Sequence, residues 1–137
     1  MNYRLKFGCS CLIATVVCLL PLSCTNQEDL GDNFMLTRAD KDDVYVIYCF
    51  QDCSVSGIPV IPPKVVRIDH DAKWIVAKVR EVESDTASYW IVDKDIDAEF
   101  EYDTGFTDLV QSHVQGPMDS TQFASTVDGM GVNLNLR

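Results

Sequence analysis

Beyond its first two dozen residues the chain is a succession of short runs in which apolar and polar side chains take turns. Residues 33–38 and 43–50 read as strands, the second dense in β-branched and aromatic types. Residues 65–69 alternate, His70-Asp71-Ala72 turns the chain, and residues 73–82 alternate again. In that second arm Trp74, Val76, Lys78 and Arg80 oppose Ile75, Ala77, Val79 and Glu81, which is a hairpin with one apolar and one mixed face. Residues 89–92, Tyr-Trp-Ile-Val, make a further strand. Residues 94–103 then keep a strict period of two, with Ile96, Ala98, Phe100 and Tyr102 on one side and five carboxylates on the other. Between the second and third runs, Pro59, Pro62 and Pro63 withhold amide donors, so a loop is expected there.

The period changes only near the C-terminus. Gly116-Pro117 breaks the chain, and Asp119-Ser120-Thr121-Gln122 is a capping box that opens a helix. Met118 and Phe123 fit a hydrophobic staple across that cap, Val127 lies one turn further on the same face, and Gly129 or Gly131 supplies the stop. The predicted fold class is therefore α+β and β-rich. It is a single small antiparallel sheet, flat or curled, of about four to six short strands with one short C-terminal helix.

The beginning of the chain obeys a different rule. Arg4 and Lys6 precede a nearly unbroken apolar run, and Pro21-Leu22-Ser23-Cys24 closes it. Residues 7–22 fall short of the ~20 that a membrane-spanning helix needs, and no basic stop-transfer cluster follows. A positive flank, a short apolar core and a small residue before a cysteine resemble the signal and lipobox of bacterial lipoproteins. That resemblance implies removal of residues 1–23, a diacylglycerol on Cys24, and a tether over residues 24–32 leading to one domain over residues 33–137. Pro21 departs from the usual leucine of the box, and ordinary signal cleavage or an uncleaved anchor are the alternatives. Thr25 stands where an aspartate would retain such a protein at the inner membrane. The implied address is thus the cell envelope, at the outer membrane, on its periplasmic or surface face.

Charge then narrows the partners. Without Arg4 and Lys6, nine cations face twenty-one carboxylates, a net charge of −12 for residues 24–137. Nucleic acid is excluded as a partner, since its recognition depends on Lys and Arg neutralising phosphates. Of six cysteines only Cys49 and Cys53 fall in the domain. They are a candidate disulfide in an exported protein, with free thiols as the alternative; no second ligand pair accompanies them as a zinc site would require.

Several stretches recur together: Val60-Ile61-Pro62-Pro63-Lys64-Val65, the hairpin from Asp71 to Lys78, Tyr89-Trp90-Ile91-Val92-Asp93-Lys94, and Gly116-Pro117-Met118-Asp119 with Phe123. In that order they resemble the small bacterial lipoproteins of the domain of unknown function 3997 family, over roughly residues 30–132. The resemblance implies location and fold but no activity, and it carries over no catalytic residue. Residues 95–115 are an insertion relative to the family pattern.

Candidate chemistry is sparse. His70 and His113 are the only histidines, and no phosphate-binding glycine loop, zinc helix motif or nucleophile elbow accompanies them. An enzyme is not expected, nor a cofactor. Asp93, Asp95 and Asp97 imitate the start of a calcium loop, but its sixth and twelfth places hold Ala98 and Thr104 instead of glycine and glutamate. A solvated acidic face is the simpler reading, and no metal is expected. Trp74, Tyr89 and Trp90 are a candidate ligand platform, with core packing as the alternative; adjacent Tyr89 and Trp90 must face opposite sides of a strand. The sequence thus points to a lipid-anchored, non-catalytic binding or structural module for a protein or glycan partner. An immunity or inhibitor protein that neutralises a basic toxin or envelope hydrolase is the alternative.

Overall fold

A computed structural model describes residues 26–50, 57–97 and 105–136. Its elements in chain order are β1 (Gln27–Gly31), β2 (Phe34–Arg38), β3 (Val44–Tyr48), β4 (Ile58–Ile61), β5 (Val65–His70), β6 (Trp74–Arg80) and β7 (Ala87–Asp93). Helix α1 (Phe106–Ser112), strand β8 (Val114–Met118) and helix α2 (Ser120–Met130) complete the fold. Every pairing is antiparallel between sequence neighbours, and the strands form two four-stranded sheets, β1-β2-β3-β4 and β5-β6-β7-β8.

The expectation of a single sheet is therefore corrected to two, and that of one helix to two. The physical reason lies at the β4–β5 junction. Pro62 and Pro63 cannot donate to a ladder, and Lys64 adopts φ +77°, so the chain leaves one sheet and starts another. Each four-stranded meander has one strongly apolar face, and pressing the two together buries both. Leu30, Phe34, Leu36, Val46 and Tyr48 from the first sheet meet Ile75, Ala77, Val79 and Val92 from the second in one buried cluster. Phe34 and Tyr48 pack edge to face at 5.0 Å. Each fully buried side chain of this size contributes about 1.5–3 kcal/mol.

The alternation read along residues 73–82 holds, but both faces are covered. Ile75, Ala77 and Val79 point into the sandwich, while Trp74 and Val76 join Ile91 and Val132 in a second cluster on the opposite face. Met118, Phe123, Val127 and Met130 from β8 and α2, with Leu134 and Leu136 from the tail, cover that second cluster. The layers are thus sheet, sheet, then helix and tail. Asp69 fastens the tail by accepting the Asn135 amide at 2.9 Å.

Further differences have local causes. Residues 27–31, read as part of the tether, form edge strand β1; four of its five residues remain at least partly accessible, so no alternation announced it. Pro59 lies within β4 rather than in a loop, at the outer edge of its sheet, where a missing donor is tolerated. Gly116-Pro117 falls inside β8 and is a cis peptide. Two residues there, Gly116 and Pro117, oppose the single Trp90 of β7, which makes a bulge. Gly116 holds φ +148°, and a Cβ on it would meet the Trp90 ring at 2.6 Å, so glycine is required. Residues 94–97 follow β7 without joining a sheet, and 98–103, the remainder of the predicted acidic strand, lie outside the described residues. Helix α1 sets Phe106 and Val110 into the core, with Phe106 against Tyr48 and Phe50 at 5.7 and 5.0 Å. The capping box of α2 is complete: Asp119 accepts from the Thr121 and Gln122 amides, and Gln122 accepts from the Asp119 amide. Gly131 closes the helix at φ +67°.

Candidate functional site

Hairpin register decides which charges meet at the end of the sandwich. Arg38 ends β2 opposite Val44, which starts β3, and Lys41 and Asp42 occupy the turn between them. Across the seam, Val65 starts β5 opposite Val79, so Lys64 sits beside Arg80, whose amide donates to the Lys64 carbonyl at 3.0 Å. These two hairpin ends border a cleft of about 510 Å³ lined by Arg38, Lys41, Asp42, Lys64 and Arg80, with Val44, Val65 and Val66. Val44 and Val65 are buried and form an apolar floor, whereas Val66 is 44% exposed.

Four cations against one carboxylate give this cleft a local charge of +3 in a strongly acidic chain. Among the described residues none of the four is in an ion pair. Three other cations are engaged elsewhere. Lys73 stands 4.9 Å over the Trp74 ring, Lys78 stands 5.7 Å over Tyr89, and buried Lys94 donates to the Leu30 carbonyl at 2.6 Å with Asp32 at 3.7 Å. The arrangement can hold an oxyanion: a guanidinium fork suits carboxylate or phosphate oxygens, and ammonium groups add point charge. No sequence motif announces it, because its cations come from separate hairpins. The Lys64–Arg80 neighbourhood alone follows from a register legible in the chain.

The residues singled out from sequence are dispersed. Trp74 is buried under the tail, and Tyr89 stacks on Phe123 of α2 at 4.9 Å, both on the outer face of the second sheet. Trp90 faces the other way, half-buried against the main core, with its Nε1 donating to Ser88 Oγ at 3.3 Å. The three rings therefore do not share one platform. Asp93 ends β7 and accepts from the Asp95 amide at 3.0 Å, which is a local turn. Among the described residues no three His, Cys, Asp or Glu side chains gather as metal ligands. Cys49 is buried and disulfide-bonded; Cys53 and Cys24 lie outside the described residues. His70 ends β5 and His113 caps α1, on separate elements.

One carboxylate is clearly perturbed. Asp71, in the β5–β6 turn, accepts from the Trp74 amide at 2.8 Å and the Lys73 amide at 2.7 Å, and these bonds hold it below its ordinary 3.8. It shapes the turn and lies outside the basic cleft. Among the described residues no helix is long and apolar enough to cross a membrane. A family model described as "Protein of unknown function (DUF3997)" matches residues 31–137. No curated protein and no solved structure matches the chain significantly.

Proposed function

The chain belongs to the DUF3997 family of proteins of unknown function, and from that premise we propose that it is a lipid-anchored module of the bacterial cell envelope, acting by binding and without catalysis. The observation that carries this reading is the meeting of two boundaries. The lipobox-like segment ends at Cys24, and an ordered strand begins at Gln27, so only Thr25 and Asn26 would separate the acylated residue from the first strand. The disulfide at Cys49 supports an exported protein, because such bonds persist in oxidising compartments. Thr25 in place of aspartate supports the outer membrane over the inner.

Binding is favoured over catalysis by what surrounds the polar groups. The two histidines stand on different elements, and the perturbed Asp71 is committed to backbone amides of its own turn. The concavity at the sheet seam is lined by four cations, Asp42 and three valines, a set suited to holding an oxyanion. The partner class is a protein or glycan of the envelope. Intact mass spectrometry of the native protein extracted from membranes tests the anchor. The expected species begins at Cys24 and carries diacylglycerol. A species that keeps Met1 and an unmodified Cys24 thiol would overturn the reading.

A further inference from the structure

The basic cleft lies where the chain enters the sandwich. Asn26, the first described residue, accepts the Arg38 amide at its carbonyl at 2.8 Å, and Arg38 lines the cleft. Only Thr25 separates Asn26 from Cys24, so the two outer Cα atoms can be no further apart than about 7 Å. We propose that the cleft binds the phosphate of a phospholipid headgroup in the leaflet that holds the Cys24 anchor. The proposal rests on the lipoprotein reading above and gives the anchored domain its orientation.

Charge placement is the first argument. Of nine cations in residues 24–137, four line this one cleft, while Lys73, Lys78 and Lys94 are engaged with aromatic rings or a buried carbonyl. Residues 24–137, with a net charge of −12, are repelled as a whole by an anionic bilayer. Four cations lining a cleft at the anchored end reduce that repulsion locally, against Asp42 in the lining and Asp40, Asp43 and Glu81 beside lining residues in sequence. Distance is the second. The link keeps the Cys24 Cα within about 7 Å of that of Asn26, whose carbonyl accepts the amide of the cleft residue Arg38, so the anchor and the cleft share one end of the fold. Shape is the third. Arg38 and Arg80 offer forks to phosphate oxygens, Lys41 and Lys64 add charge, and Asp42 accepts from a headgroup hydroxyl. Exposed Val66 at the rim gives the glycerol and upper acyl region an apolar surface.

Native mass spectrometry of the full-length expressed protein, released from a neutral detergent, tests the anchor and the cleft in one sample. The probes are dihexanoyl phosphatidylglycerol, dihexanoyl phosphatidylcholine and inorganic phosphate. Phosphatidylglycerol is expected to bind most tightly, because phosphatidylcholine brings its own cation against the four of the cleft. Arg38→Gln combined with Arg80→Gln is expected to weaken phosphatidylglycerol binding at least about tenfold. Arg67→Gln combined with Lys73→Gln, an equal charge change outside the cleft, is expected to leave it intact. Both double variants alter exposed side chains, and circular dichroism confirms their fold. Equal loss in the two variants, equal binding of the two lipids, or inorganic phosphate binding as tightly as phosphatidylglycerol would each overturn the headgroup site. Failure of the lipoprotein reading appears separately, as an unmodified protein mass, whatever the lipid adducts show.

Discussion

Replacing Lys94 with methionine would test what ties the two sheets together at the end of β7. Methionine keeps most of the length of the side chain and removes its charge. Lys94 is 5% exposed, and its ammonium donates at 2.6 Å to the Leu30 carbonyl in β1. Leu30 is the residue skipped where the β1–β2 register shifts between Asp29 and Gly31, so the lysine serves a carbonyl at an irregular point of the ladder. Losing a hydrogen bond to a charged group forfeits roughly 1.5–3 kcal/mol, and the carbonyl is left buried without its donor. Relief of the lysine's own desolvation offsets part of this. The expected net loss is about 2 kcal/mol. With a urea slope of about 1.5 kcal/mol per molar, the midpoint of unfolding falls by about 1.3 M at unchanged slope. Tryptophan fluorescence in urea is the assay. Asp32, 58% exposed at 3.7 Å, contributes less than about 1 kcal/mol, so Asp32→Asn shifts the midpoint much less. A Lys94→Met midpoint equal to or above that of the unaltered protein would refute the reasoning, and the lysine would be a tolerated burial instead of a tie.

Three further perturbations probe separate elements. Asp119→Ala removes the side-chain half of the α2 capping box and should lower stability by about 1 kcal/mol, read as a fall of several degrees in Tm with weaker Tyr89–Phe123 stacking by near-ultraviolet dichroism. Gly116→Ala drives a methyl group into the Trp90 ring at a φ of +148° and should cost about 2 kcal/mol or more, with red-shifted tryptophan emission; unchanged stability would show that the β8 bulge is plastic. The Asp71 carboxyl is held below 3.8 by amide bonds of the folded turn, so its contribution is complete above that pH and fades as pH falls through the lower folded value. The stability gap between the protein and Asp71→Ala should therefore narrow only below pH 3.8, and a gap that narrows nearer neutrality would contradict the assignment.

Elements with a strong local signal were legible in the sequence. β3 and the β5–β6–β7 meander carry dense β-branched and aromatic alternation, and α2 carries its own start and stop in Asp119, Gln122 and Gly131. β1 and β8 were not, because an edge strand can pair through its backbone while its side chains stay accessible, as in Glu28 and Asp29 or Gln115. Helix α1 did leave a trace, since Phe106, Leu109 and Val110 have i, i+3, i+4 spacing. It was hidden by the strict alternation before it. Two sheets were not separable from one, because alternation says that a face is buried and not what buries it. Trp74 and Val76 looked like the mixed side of a hairpin, yet α2 and the tail, remote in sequence, cover them. Of the candidate sites, the opposed faces of Tyr89 and Trp90 were foreseeable from strand geometry, whereas the cleft needed the docking of two hairpins.

Net charge is a sum over the chain, and a binding site is a local quantity; the two lead to different conclusions here. A total of −12 over residues 24–137 repels a polyanion that approaches from solution, since long-range steering responds to the whole charge. It would not oppose a phosphate already held beside the +3 cleft by a shared membrane. An anchor converts the second contact into an intramolecular one, at effective concentrations of the order of millimolar, so a cleft far too weak to recruit a soluble anion would still be occupied. If Cys24 is acylated as proposed, the acyl chain would supply attachment and the cleft would supply orientation. Raising the ionic strength should then loosen the orientation while leaving the protein on the membrane, because screening weakens exposed charge contacts and does not weaken burial of an acyl chain.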